Sequence, residues 1–234
     1  MNQKYKCILS LGIRCFTEIF LKELELKKFS SPFDALYLSS INDIIYLLEN
    51  KIEPKYLIHT QNEKKYKSYN SKWGYRTIHT KLDNTLTDFN NVNSSYHYAT
   101  FAHHNLNDSK TVEHFERAFK RFDIIKKNKI STLFCLFIHP CHSGYVSIKQ
   151  KDILKLSNYL KNKYNCYLLS IYFLKTNTQE PYSLLKKTDN CSIYKINNNS
   201  WNFIDIKYEL TSIFENFNIK KEDLLLYKDI CGYL

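Results

Sequence analysis

Two largely apolar runs, Thr132 to Ile138 and Cys166 to Leu174, flank a stretch, Ile148 to Lys163, in which Ile153, Leu156, Tyr159 and Leu160 recur at helical spacing. A strand that is apolar at nearly every position has both faces covered, which is the environment of a parallel sheet rather than of a half-solvated antiparallel one. Parallel neighbours need a crossover, and the helical stretch between the runs supplies it. Strand, helix and strand in this order predict an α/β fold, a mostly parallel sheet flanked by helices.

The beginning of the chain repeats the pattern. Tyr5 to Ser10 reads as a strand, Leu11-Gly12 as a tight turn, and Phe16 to Lys27 as a helix whose apolar face is Phe16, Ile19, Phe20 and Leu24. Ser30-Ser31-Pro32-Phe33-Asp34 interrupts it, because Pro32 fixes its own φ and biases Ser31 to an extended conformation. A second helix is predicted from Ser40, with Asp43 as a capping-box-like partner and Ile44, Ile45, Leu47 and Leu48 on its apolar face.

From Asn50 to about Asp108 the periodicity is lost. A segment of that length is too long for an ordinary loop, so it is expected to hold short strands, for instance at Gly74 to Ile78 and Tyr96 to Ala102, and to form an irregular insertion, a lid or a subdomain. Asp108 or Ser109 then caps a helix with Val112, Phe115, Ala118, Phe119, Phe122 and Ile125 on one face. A strand at Cys191 to Ile196, a helix from about Asn202 to Phe217 and a docking tail from Lys220 complete the reading of residues 1–234 as a single α/β domain.

No apolar run approaches the roughly 20 residues a membrane-spanning helix needs. The amino terminus lacks a signal-peptide pattern, and seven dispersed cysteines, an odd number, fit reduced thiols better than a disulfide framework. A cytoplasmic protein is the expectation. Thirty-four Lys and Arg against 23 Asp and Glu leave a net charge of +11. The basic residues are scattered, so a solvated surface or an anionic or glycan small-molecule substrate explains them better than nucleic acid does. Oligomeric state is not encoded in any pattern seen here.

Ligands of open α/β sheets bind beyond the carboxyl ends of the strands. Two such ends carry chemistry. In Ser10-Leu-Gly-Ile-Arg-Cys15, Gly12 allows close backbone approach, Arg14 supplies a positive charge, and Cys15 falls in the first helical turn, where unpaired N–H groups favour a thiolate. In Phe137-Ile-His-Pro-Cys-His142, His139, Cys141 and His142 follow a buried strand, but their spacing matches no known ligand pair and no metal or other cofactor is expected. Cys135 and Cys166, inside apolar runs, read as small core residues. A cysteine nucleophile needs a base and an orienting group. His103 or His104 is the candidate base, with Asp34, Asn105 or Asp108 behind it.

The series Ser10-Leu11-Gly12-x-x-Cys15, Ser31-Pro32-Phe33-Asp34, Phe101-Ala-His-His and Phe115-Glu-Arg-Ala-Phe-Lys-Arg-Phe122, followed by the strand at Leu133-Phe134, resembles a family called putative papain-like cysteine peptidases. The family is found in bacteria and large DNA viruses, and its function is unknown. The resemblance spans roughly Tyr5 to His139 and implies Cys15 as nucleophile and a histidine at His103 or His104. The family's second motif reads Pro-Phe-Asp-Trp, with Ala35 in place of Trp here; its His-Asp element is His103-His104 or His104-Asn105; and its paired arginines become Arg117 followed by Ala118. A papain-like core packs its cysteine helix on an antiparallel sheet, unlike the parallel one read from the apolar runs.

Three functions stay open. The first is a thiol-dependent hydrolase or transferase acting through Cys15. The second is a glycosyltransferase-like enzyme with a nucleotide-sugar or phosphate-bearing donor, in which Cys15 and Gly12 shape the donor pocket, Arg14, Arg117 and Arg121 are the anion clamps, and Ser10 and His139 are further substrate-binding candidates. The third is a non-catalytic interaction module.

Overall fold

A computed structural model describes residues 4–12, 15–34, 36–38, 41–50, 68–71, 74–78, 99–102, 108–140, 148–176, 179–200 and 202–231. Its central sheet has five strands: β1 (Cys7–Ser10), β6 (Thr132–Ile138), β7 (Cys166–Phe173), β9 (Cys191–Ile196) and β8 (Tyr182–Lys187), side by side in that order. The first four are mutually parallel and β8 closes the far edge antiparallel to β9. This is the α/β architecture expected from the apolar runs.

Strict alternation along β6 shows why the run is continuous. Leu133, Cys135 and Phe137 enter one core layer, while Phe134, Leu136 and Ile138 enter the other. Helix α1 (Phe16–Glu23) and α5 (Lys207–Glu215) cover the first layer. On the second layer lie α2 (Ile41–Asn50), α3 (Ser109–Lys127) and α4 (Gln150–Lys163), with Ile230 of α6 (Tyr227–Cys231). The tail docks as expected: Leu224 and Ile230 are buried, and Leu225 N–H donates to the Lys6 carbonyl at 2.9 Å.

Several boundaries differ from the sequence reading. Helix α1 stops at Glu23 rather than Lys27, because the chain turns through a left-handed Glu25 (φ 59°) and Leu26 and Lys27 both return their N–H groups to the Leu21 carbonyl. Ile19 is 42% exposed; buried Thr17 and Leu21 complete the packed face in its place. Asp108 is the cap of α3, its carboxylate accepting from Lys110 and Thr111 N–H. Strand β8 was not foreseen, since Tyr182–Lys187 is mostly exposed and carries no buried-strand pattern. The Thr188-Asp189-Asn190 turn between two short runs was the available hairpin signal. The segment at Asn202 opens with a 3₁₀ turn, Phe203–Ile206, before α5 begins.

A second, antiparallel sheet orders β2 (Leu36–Leu38), β5 (Ala99–Ala102), β4 (Gly74–Ile78) and β3 (Ser68–Ser71). The insertion thus contains short strands, two of them where the sequence suggested. Most of residues 50–108, and with it the expectation of a lid, lies outside the described residues. Among the described residues no helix is long and apolar enough to cross a membrane.

Candidate active site at the β1 and β6 strand ends

Strand β1 ends at Ser10, and the next amide, Leu11 N–H, still reaches the Cys135 carbonyl of β6 at 2.9 Å. The chain then leaves the sheet at Gly12, whose φ of 77° lies in the left-handed region that a Cβ disfavours. Gly12 N–H donates to Ser10 Oγ at 3.1 Å, closing a tight turn over the strand end. Once β1 has turned away, the buried Phe137 N–H of β6 has lost its ladder neighbour. Thr17 Oγ1 accepts it at 3.1 Å, so the first turn of α1 is bonded directly to β6.

Cys15 occupies the N-cap position of α1, half-buried, with no side-chain capping bond. Its carbonyl accepts Ile19 N–H at 2.9 Å, while the amides of the first turn have no acceptor within the helix and present positive potential. The other described thiols are in a different environment. Burial pushes Cys7, Cys166 and Cys191 up to about 12 and Cys135 higher still, which fits the core role expected for Cys135 and Cys166.

The imidazole of His139, one residue beyond β6, packs against Phe16 with ring centroids 4.5 Å apart and against Phe173 at 5.8 Å. Its Nε2 lies 2.8 Å from the Asn199 carbonyl. The two candidate strand ends therefore meet: Phe16 and Thr17 of α1 stand against His139 and Phe137.

The Ser31-Pro32-Phe33-Asp34 motif serves the same corner. Ser31 Oγ donates to the Ser10 carbonyl at 2.7 Å and accepts Phe33 N–H, while Asp34 Oδ2 accepts Ser31 N–H at 2.7 Å. Phe33 drops into the core layer opposite α1, so the chain passes from one face of the sheet to the other just beyond β1. Lys27, almost wholly buried, bridges Glu18 and Asp34 at 2.5 and 2.6 Å, and Lys22 adds a second pair to Glu18. Burial pushes Asp34 up to about 6, against the pull of Lys27 and the Ser31 amide. Burial also acts to raise Glu18, but its bonds to Lys27 and Lys22 hold it below the ordinary carboxylate range. Asp34 Oδ1 is buried and has no hydrogen-bond partner among the described residues.

Arg121, expected as an anion clamp, is buried; its Nε and Nη2 donate to the Ser30 carbonyl at 3.3 and 2.9 Å and its guanidinium lies over Phe29. Arg117 lies on the exposed side of α3 in a pair with Glu113 at 3.5 Å. Arg14, His103, His104, Asn105, Cys141 and His142 lie outside the described residues, and Asp108 is spent on the α3 cap. Sequence reasoning missed Thr17, Lys27, Glu18 and His114. Burial and the charges of Arg121, Arg117 and Lys27 hold His114 below the ordinary imidazole range. Its position three and seven residues before Arg117 and Arg121 was the signal that could have found it.

Fold and corner together define an α/β protein with a half-buried thiol at a helix N-terminus and an imidazole at the adjoining strand end. Residues 6–163 match the family described as “Putative papain-like cysteine peptidase (DUF1796)”, and the chain belongs to that family. No curated protein and no solved structure matches it. Within the matched residues, the segments that begin at Ser10, at Ser30 and at Phe115 come together as one bonded corner beside a mostly parallel sheet.

Proposed function

We propose that the protein is a thiol-dependent hydrolase or transferase with Cys15 as its nucleophile. The observation that carries this is the placement of Cys15: half-buried, at the α1 N-terminus and on the carboxyl edge of a parallel sheet. Family membership supports it. Sγ of Cys15, having given up its proton, attacks an electrophilic carbon. The new S–C bond forms as the carbon's bond to its leaving oxygen or nitrogen breaks, and the leaving group takes up the proton. Water, or an acceptor hydroxyl or amine, then displaces the thiol and regenerates it. The first-turn amides favour an anionic thiolate and a substrate that is anionic or develops negative charge as the thiolate attacks.

The glycosyltransferase-like reading has less support, because the Arg121 guanidinium is committed to the Ser30 carbonyl and Arg117 faces solvent beside Glu113. A reducing, cytoplasmic setting is part of the thiol reading; Cys7, Cys15, Cys135, Cys166 and Cys191 form no disulfide among the described residues.

Alkylation with iodoacetamide between about pH 5 and pH 9, read peptide by peptide, tests the proposal. Cys15 is expected to react at least about tenfold faster than Cys7, Cys135, Cys166 and Cys191 near neutral pH. Equal or slower labelling of Cys15 would overturn it.

A further inference from the structure

An imidazole bonded to a carbonyl has a defined proton. The Asn199 carbonyl can only accept, so His139 Nε2 is the donor across their 2.8 Å contact, and the neutral ring carries its lone pair on Nδ1. The acceptor is itself held. Asn198 Oδ1 accepts Ser200 N–H at 2.9 Å, Asn198 Nδ2 donates to the Asp205 carbonyl at 3.1 Å, and Ser200 Oγ accepts Asn202 N–H at 3.0 Å. This brace ties the loop after β9 to the 3₁₀ turn at Phe203–Ile206, whose Phe203 packs on Phe20 of α1 at 5.6 Å. The loop that orients His139 thus rests on the same helix that begins at Cys15.

The ring is also packed against aromatic neighbours. Phe16 and Phe173 flank it, and Phe16 directly follows Cys15. Thr17, two residues on, bonds the Phe137 amide, two residues before His139. The first two residues of α1, Phe16 and Thr17, are therefore held against His139 and Phe137 at the end of β6, and Cys15 is the N-cap of that same turn.

We infer that His139 is the base partner of Cys15, oriented by the Asn199 carbonyl, so that the strand end of β6 rather than the His103-His104 element supplies the imidazole. The inference rests on the nucleophile reading of Cys15. The Sγ proton passes to Nδ1, giving a thiolate and an imidazolium, and the imidazolium returns that proton to the leaving group. A backbone carbonyl takes the orienting place that a carboxylate holds in many such pairs.

The full chain and its His139→Gln, His103→Gln and His104→Gln variants are to be alkylated with iodoacetamide across the same pH range. His139→Gln is expected to slow Cys15 labelling near pH 6.5 by about tenfold or more and to move its midpoint upward by about one unit, with His103→Gln and His104→Gln within about twofold of the parent. Slow Cys15 in the parent chain removes the nucleophile reading. Fast Cys15 in the parent with an unchanged rate in His139→Gln overturns the His139 assignment alone, as does loss of rate in His103→Gln or His104→Gln instead. If His139→Gln does not fold, imidazole NMR of the parent and Cys15→Ser decides. An Nε2–H tautomer whose titration falls by about half a unit or more without the thiol supports the pair, by reciprocity of coupled sites. An Nδ1–H tautomer, or a titration that does not move, overturns it.

Discussion

Gly12 and Lys27 show how much of the corner depends on single side chains. At Gly12 the left-handed φ is what turns the chain from β1 towards Cys15. Gly12→Ala is expected to cost about 1–2 kcal/mol in chemical denaturation and to blunt the selective labelling of Cys15, since a Cβ is disfavoured there. Lys27 holds two carboxylates almost out of water. Lys27→Met leaves Asp34 buried without its cation, and removing one member of a buried pair costs about 3–5 kcal/mol. The sign with pH follows from Asp34. Its folded value, already raised to about 6, rises further when Lys27 is lost. A group raised above its unfolded value stabilises fully below that unfolded value and loses the contribution as pH rises through the folded one. The Lys27→Met defect should therefore be largest above about pH 6 and shrink towards pH 4, by denaturation midpoints in the two conditions. A penalty independent of pH would show that the cost is packing, not charge.

Among the elements, the join between α1 and β6 matters most. Parallel sheets are buried on both faces, so an amide freed where one strand ends early must find another acceptor. Thr17 Oγ1 is that acceptor for Phe137. Thr17→Val keeps the shape and removes the oxygen, with an expected loss of about 1–3 kcal/mol. It should also reduce the rate of Cys15 alkylation, because the helix start is no longer bonded to the sheet. Thr17→Ser, which retains the hydroxyl, should restore most of both effects; if it behaves as Thr17→Val does, the methyl group and not the bond is what counts.

In the molecule as a whole, the central sheet separates two core layers. Ile153 of α4 and Ile213 of α5 lie in opposite layers, both fully buried. Ile153→Val and Ile213→Val should each cost about 0.5–1.5 kcal/mol by denaturation. Their double variant should equal the sum within about 0.5 kcal/mol, since the sheet stands between them and they share no partner. A larger coupling would mean that the two layers relax together through the sheet.

Much of this fold was legible because burial on both faces leaves a mark on local composition. Thr132–Ile138 and Cys166–Phe173 are apolar at nearly every position, and their helices carry an apolar stripe that predicts which way they face. Strand β8 left no such mark because its side chains are largely exposed and its pairing is made by backbone alone. The candidate site divides in the same way. Cys15 and Gly12 were readable from a strand, turn and helix in succession, since the cause of their special position is local. The roles of Ser31, Lys27, Arg121 and His139 were not. Arg121 and Ser30 are 91 residues apart in the chain, as Thr17 and Phe137 are 120 apart, and sequence patterns record a residue's own periodicity, not the partner that folding brings to it. The chain's residues dictated a parallel α/β sheet with a cysteine at a helix start. Only tertiary packing decided that an arginine would brace a turn and that the histidine after β6 would meet that cysteine's helix.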